Sequence, residues 1–130
     1  MRPLLAIAVI GAGGAFGSIA RYLVSTWFLQ RFGPSFPWGT FTINVTGSFL
    51  IGIVLQLALP RAGFSPYLRV FLATGVLGGY TTFSTYAFEA LTLTSESLYL
   101  RALLYTFGSV FAGVVAAYAG VVLARLVSPP

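Results

Sequence analysis

Four apolar runs, each long enough to cross a lipid bilayer as a helix, take up nearly the whole of this 130-residue chain. A hydrocarbon core about 30 Å thick asks for about 20 residues of helix. The runs cover approximately residues 3–27, 38–59, 68–93 and 98–126. The loops between them, "QRFGPSFP", "PRAGFSPY" and "TSES", are short and punctuated by Gly, Pro and Ser. Such a layout predicts an all-α integral membrane protein, a single four-helix transmembrane domain over residues 1–130. Charge content agrees, because 7% charged residues against 58% hydrophobic cannot cover a water-facing surface. The first run also has the opening of a secretory leader, Met-Arg-Pro before an apolar stretch. It continues too long for a leader's apolar region and three more runs follow, so it is expected to be retained.

The same composition removes whole classes of function. Cysteine and histidine are absent, and the acids are Glu89 and Glu96 alone. That excludes disulfides, thiol chemistry, zinc sites and histidine proton relays. Only Glu89 lies inside an apolar run, so paired acid–base catalysis has no material and the chain is not expected to be an enzyme. The net charge of +5 comes from single arginines rather than a patch, which argues against nucleic acid as a partner.

Most arginines stand at the ends of the runs, where they set orientation. With four spans, Arg2, Arg61, Arg69 and Arg125 fall on one side and Arg31 and Arg101 on the other. Four against two is a weak instruction, compatible with insertion both ways round. Small residues recur every four positions in the last run, at Gly108, Ala112, Ala116, Gly120 and Ala124, and Gly13 and Gly17 repeat the device in the first. Small residues let helix backbones approach closely in lipid. The stripes fit self-association and packing within the chain equally.

Polar groups inside the runs are the functional candidates, since hydrocarbon penalises them unless they face protein or water. Thr40, Asn44 and Ser48 lie four residues apart and share a helix face. The Asn44 amide offers two donors and an acceptor near mid-span, for a permeating ion or for an interhelical bond. Tyr105 and Ser109 form a second such pair beside the small-residue stripe. Arg21 lies too deep in the first run for a routine end anchor, so it either snorkels to the surface or lines an aqueous vestibule. Glu89 is free to pair with an arginine or to line the same mouth.

Within the third run stands "GGYTTFSTY", residues 78–86. Consecutive glycines disfavour a continuous helix by about 1 kcal/mol each. An opened helix frees carbonyls, which are hard ligands for a cation, and amides, which suit an anion. Phe83 and Tyr86, three apart, are neighbours on one face, and the positive edges of their rings suit a small anion. A packed aromatic pair beside a glycine kink is the plainer alternative.

Three stretches, "GGAFGSIARY", "GTFTINVTGSFLIG" and "GVLGGYTTFSTYAFE", resemble in order and spacing the small Fluc (CrcB-type) fluoride channels of bacteria. The likeness covers essentially the whole chain. It implies a dual-topology antiparallel homodimer in the inner cell membrane, with a third helix broken mid-membrane and two passive fluoride pathways. It implies a structural, untransported sodium ion at the dimer centre, held by the backbone carbonyls matching Gly78 and Thr81. By the same likeness Asn44 and Phe83 line the fluoride path; the hydroxyls of Ser84, Thr85 and Thr40 are expected beside them from their own chemistry and position. Arg21 and Glu89 stand at the vestibule, and Tyr105 and Ser109 fall on a polar track of the fourth helix. The chain departs from the family pattern at Tyr86, where a second phenylalanine is usual. A small proton-coupled multidrug exporter of dual topology is the alternative. That mechanism wants a carboxylate in the first helix, where this chain has Arg21. A membrane scaffold without transport would have little use for the stack at Thr40, Asn44 and Ser48.

Overall fold

In the computed structural model, which describes residues 1–59 and 64–127, Pro3 opens the first helix, α1 (Pro3–Phe32). Its missing N–H is not needed in a first turn. Gly33 closes α1 at φ 71°, where a side chain would be strained, and its N–H donates to the Leu29 carbonyl at 2.9 Å. Pro34 then prevents the helix from resuming. After this turn, α2 (Trp38–Leu57) returns along α1.

The third apolar run is not one rod. It comprises α3 (Pro66–Arg69), a π-helical stretch at Val70–Leu77, α4 (Gly78–Tyr80) and α5 (Phe83–Ser95). The chain then completes α6 (Tyr99–Val127). Among the described residues, α1, α2 and α6 are the three helices long and apolar enough to cross a membrane singly. The remaining apolar run, expected as a further span, is the segmented one. Arg61 of the arginine balance lies outside the described residues.

Two ties mark the ends of the bundle. Arg101 Nη1 donates to the Ser35 carbonyl at 3.0 Å, which brings the connections after α1 and after α5 to one end. At the other end the Arg2 N–H donates to the Tyr67 hydroxyl at 3.0 Å, holding the start of the chain against α3.

Small residues decide which helices meet. α2 packs most extensively on α6, and α1 on the π-helical stretch and α4. A Cβ at Gly52 would run into the Ala117 carbonyl, and one at Gly120 into the Phe49 carbonyl, so α2 and α6 interlock reciprocally, backbone on backbone. On the other side, a Cβ at Gly13 would come 2.6 Å from the Phe71 carbonyl, and one at Gly17 would strike the Val76 carbonyl. Packing within the chain therefore accounts for Gly13, Gly17 and Gly120. Gly108, at the far end of the same stripe, has open space around it.

The exterior is apolar and much of the interior is small or polar, the reverse of a water-soluble bundle. Leu4, Phe16, Leu103, Phe111 and Leu126 face outward, while Thr40, Thr82 and Ser109 are buried with Ile43 and Tyr105. Lipid tails solvate the former as well as a core would. Helix association must then come from close packing and internal hydrogen bonds. Trp27, Phe28, Phe32, Phe36 and Trp38 gather in edge-on, stacked and tilted pairs at the Arg31 end, as residues of a membrane–water boundary do.

Candidate functional site

Helical backbone runs to Tyr80, stops for two residues and resumes at Phe83. Thr81 (φ −79°, ψ 158°) and Thr82 (φ −151°, ψ 118°) are extended. Sequence reasoning put the weak point on the glycines, yet Gly78 is helical at φ −64°. The glycines serve close approach instead. A Cβ at Gly79 would come 2.6 Å from the Gly14 carbonyl of α1. The interruption falls on the following threonines, whose branched Cβ favours extended backbone.

Side chains hold this shape. The Asn44 amide grips the backbone of Thr82 on both sides, Nδ2 donating to its carbonyl (3.0 Å) and Oδ1 accepting from its N–H (2.9 Å). Thr82 caps α5, its Oγ1 accepting from the Thr85 N–H at 3.3 Å and donating to Thr85 Oγ1 at 3.0 Å. In an unbroken helix the N–H of Thr82 would serve the Gly78 carbonyl, and that of Thr85 the Thr81 carbonyl. Both N–H groups are diverted, so both carbonyls lose their helical donors. Arg21 Nη1 lies 3.4 Å from the Thr81 carbonyl, a long hydrogen bond between α1 and the interruption. Among the described residues no three His, Cys, Asp or Glu side chains come together.

A second polar cluster lies further along α5. Glu89 accepts two hydroxyl bonds, from Thr40 Oγ1 to Oε1 (2.9 Å) and from the Tyr105 hydroxyl to Oε2 (2.6 Å). Tyr105 is wholly buried. The Tyr86 ring stands between the clusters, 5.3 Å from the Tyr105 ring and 5.6 Å from that of Phe83. Its hydroxyl donates to the Thr106 carbonyl of α6 at 2.8 Å. Phe83 itself is 79% exposed.

Two hollows flank this wall. A groove of about 530 Å³ is lined by Asn44, Gly78, Thr81, Phe83, Tyr86 and Ser109. Another, of about 460 Å³, is lined by Thr40, Thr85 and Glu89 together with Trp38 and Glu96. The Ser109 hydroxyl oxygen is buried and has no hydrogen-bond partner among the described residues. Ser109 also lines the first groove. Most of the residues singled out in the sequence therefore gather here, but not in one place. Thr40 and Asn44 share a helix face yet serve different hollows. Ser84 is exposed, with its Oγ 3.4 Å from Thr82 Oγ1. Arg21 and Glu89 do not meet, since one reaches Thr81 and the other Thr40 and Tyr105.

Thr82 is the residue that sequence reasoning missed. Its signal was present: a threonine immediately before a helical run is a preferred N-cap residue.

Comparison with known proteins bears on the whole of this arrangement. The family model described as "CrcB-like protein, Camphor Resistance (CrcB)" matches residues 8–121, which contain both clusters and both hollows. The chain belongs to the CrcB family. Among its CrcB relatives is a protein of Rhizobium meliloti, 51% identical over 119 residues, covering 92% of this chain and 95% of the relative. Others come from Agrobacterium fabrum (42%, covering 94% and 98%) and Chlorobium chlorochromatii (46%, covering 92% of each). All three carry the name "Fluoride-specific ion channel FluC". With its long apolar helices, this CrcB chain is a multi-pass membrane protein.

In this CrcB chain the Tyr86 hydroxyl is already engaged. Tyr86→Phe removes a single neutral bond to a carbonyl that α6 also uses, at about 1 kcal/mol. A small fall in the thermal unfolding midpoint of the purified protein is expected. An unchanged midpoint would mean that the bond to Thr106 contributes nothing.

Proposed function

We propose that the chain is a passive, fluoride-selective channel of the inner cell membrane, letting cytoplasmic fluoride leave down its gradient. Fluoride enters cells as neutral HF from acid surroundings and dissociates inside, so a leak for the anion suffices to lower its toxicity. The observation that carries this reading is the Ser109 hydroxyl, buried without a partner against the groove that holds Asn44, Phe83 and Tyr86. The relatives' printed name supplies the ion.

Desolvation is the obstacle for a small anion in a membrane, and selectivity comes from donors close enough to replace its water. The second N–H of Asn44 Nδ2 and the Ser109 hydroxyl would do so in the first groove, beside the edges of Phe83 and Tyr86. Thr85, Thr40 and Tyr105 would continue the path towards the Glu89 hollow, with Ser84 on the exposed side. Arg21 would raise the local concentration of anions. Chloride, being larger, gains less from donors so closely set.

The reading includes an antiparallel homodimer of dual topology. Phe83 and the open first groove would then face a second copy, and the interruption would lie mid-membrane at the dimer centre. Gly78 and Thr81, relieved of their helical donors, fit a cation by donor chemistry, and the second copy would double the two carbonyls. Sodium held there would supply fixed positive charge that joins the copies, and it would not be transported.

The test is fluoride efflux from proteoliposomes containing only this protein, with chloride as the control. Rapid fluoride efflux with negligible chloride movement is expected. No fluoride flux, or equal flux of both ions, overturns the reading.

A further inference from the structure

We propose that Arg21 sets how tightly the interruption in the third run binds a cation, in addition to any part it plays for anions. The inference rests on the reading of Gly78 and Thr81 as a cation site, and it concerns a residue which that reading leaves at the vestibule. Arg21 reaches from the middle of α1 and is partly buried. Its Nη1 points at the carbonyl oxygen of Thr81, 3.4 Å away. That oxygen has lost its helical donor, because the Thr85 N–H goes to Thr82 Oγ1. The carbonyl assigned to the metal is thus also the hydrogen-bond partner of a permanent positive charge.

In this geometry the charge of Arg21 weakens cation binding, while its bond would favour binding only by orienting the carbonyl. A guanidinium donating to the carbonyl draws electron density from an oxygen that a metal also needs. It also places a full positive charge a few ångströms from any cation there, in surroundings that screen poorly. The bond itself is long, near the outer limit for N–H···O, so its orienting value is small. Repulsion therefore dominates, and Arg21 holds cation affinity below what the carbonyls alone would give. The Thr81 side chain is packed closely against α2: a Cβ at Gly47 would run into the Thr81 methyl. The carbonyl consequently has little freedom to turn away from Arg21.

The experiment uses the full chain, purified in detergent, with sodium exchanged for N-methyl-D-glucamine at constant ionic strength. A ligand that binds only the folded protein raises its unfolding midpoint by mass action. The tryptophans at 27 and 38 report unfolding, and the sodium concentration giving half of the rise measures affinity. Removing the charge in Arg21→Gln is expected to lower that concentration about tenfold, the size expected for a nearby, partly screened unit charge. Arg21→Lys keeps the charge and is expected to stay within about threefold of the unsubstituted protein. Should Arg21→Gln fail to fold, Arg21→Met provides a second neutral side chain suited to apolar surroundings, with the same expected shift. An unshifted half-point in the neutral variants, or a shift to higher sodium, overturns the role of Arg21 and leaves the cation site standing. If the unsubstituted protein shows no response to sodium, the cation site falls and the role of Arg21 falls with it.

Discussion

Asn44→Asp is expected to cut fluoride efflux by about a hundredfold, the largest effect of any single substitution at the site. The amide matches Thr82 group for group, one donor for the carbonyl and one acceptor for the N–H. An aspartate can keep the N–H, but it sets a carboxylate against the carbonyl it no longer serves. A buried acceptor left unpaired, here facing a negative charge, costs about 3 kcal/mol, or roughly a hundredfold in population of the formed site. The same charge stands beside the proposed path and repels the anion. Measuring efflux and the thermal unfolding midpoint together separates these causes. A lost flux with an unchanged midpoint points to charge in the path, while a fall in both points to loss of the grip on Thr82. Efflux within a factor of two of the unsubstituted protein would remove Asn44 from both roles.

Gly17→Ala is expected to destabilise the protein by about 3 kcal/mol or more, although it adds only one methyl group. That methyl would strike the Val76 carbonyl and come 2.8 Å from the Tyr80 nitrogen. Both obstacles are backbone, and they belong to the stretch leading directly into Thr81 and Thr82. Neither can swing aside as a side chain would. Relief requires α1 to move away from the third run, which also withdraws Arg21, one turn further along the same helix. The expected result is a fall of about 10 °C in the unfolding midpoint, or failure to recover folded protein. Gly11→Ala is the internal control. It lies on the same helix with nothing within 4 Å of the added atom. Alanine there is expected to be neutral or slightly stabilising, because glycine is the poorer helix former. Matching behaviour of the two variants would contradict the close contact.

The four apolar runs were legible because crossing a bilayer is chiefly a matter of length and composition, and both can be counted. Phe83 and Tyr86 were legible as neighbours because three-residue spacing on a helix is geometry. The position of the interruption was not. Helix propensity points to Gly78 and Gly79, whereas the outcome depends on Asn44 reaching Thr82 across 38 positions of sequence. No local pattern announces such a bond. The two glycines answer to α1, so their purpose also lies in another helix. Thr40, Asn44 and Ser48 were readable as one face, but a single face can border two hollows. The partners of Glu89 come from α2 and α6, and nothing near Glu89 in sequence indicates them. The small-residue stripe was ambiguous for a similar reason. Gly120 meets α2, whereas a Cβ at Gly108 would find nothing within 4 Å among the described residues, although both satisfy the same spacing.

The bonds that redirect the Thr82 and Thr85 N–H groups both lie within one chain, and this has a consequence for how the site is completed. The unfavourable step of opening a helix in an apolar environment is met during folding of the single chain, by Asn44 and by the Thr82 hydroxyl. Whatever later meets the Gly78 and Thr81 carbonyls finds them preorganised. Its affinity is therefore not diminished by a conformational change at the moment of binding. On the proposed reading, association with a cation or a second copy would be the docking of finished surfaces. Its rate would be governed by encounter within the membrane rather than by rearrangement of the helix.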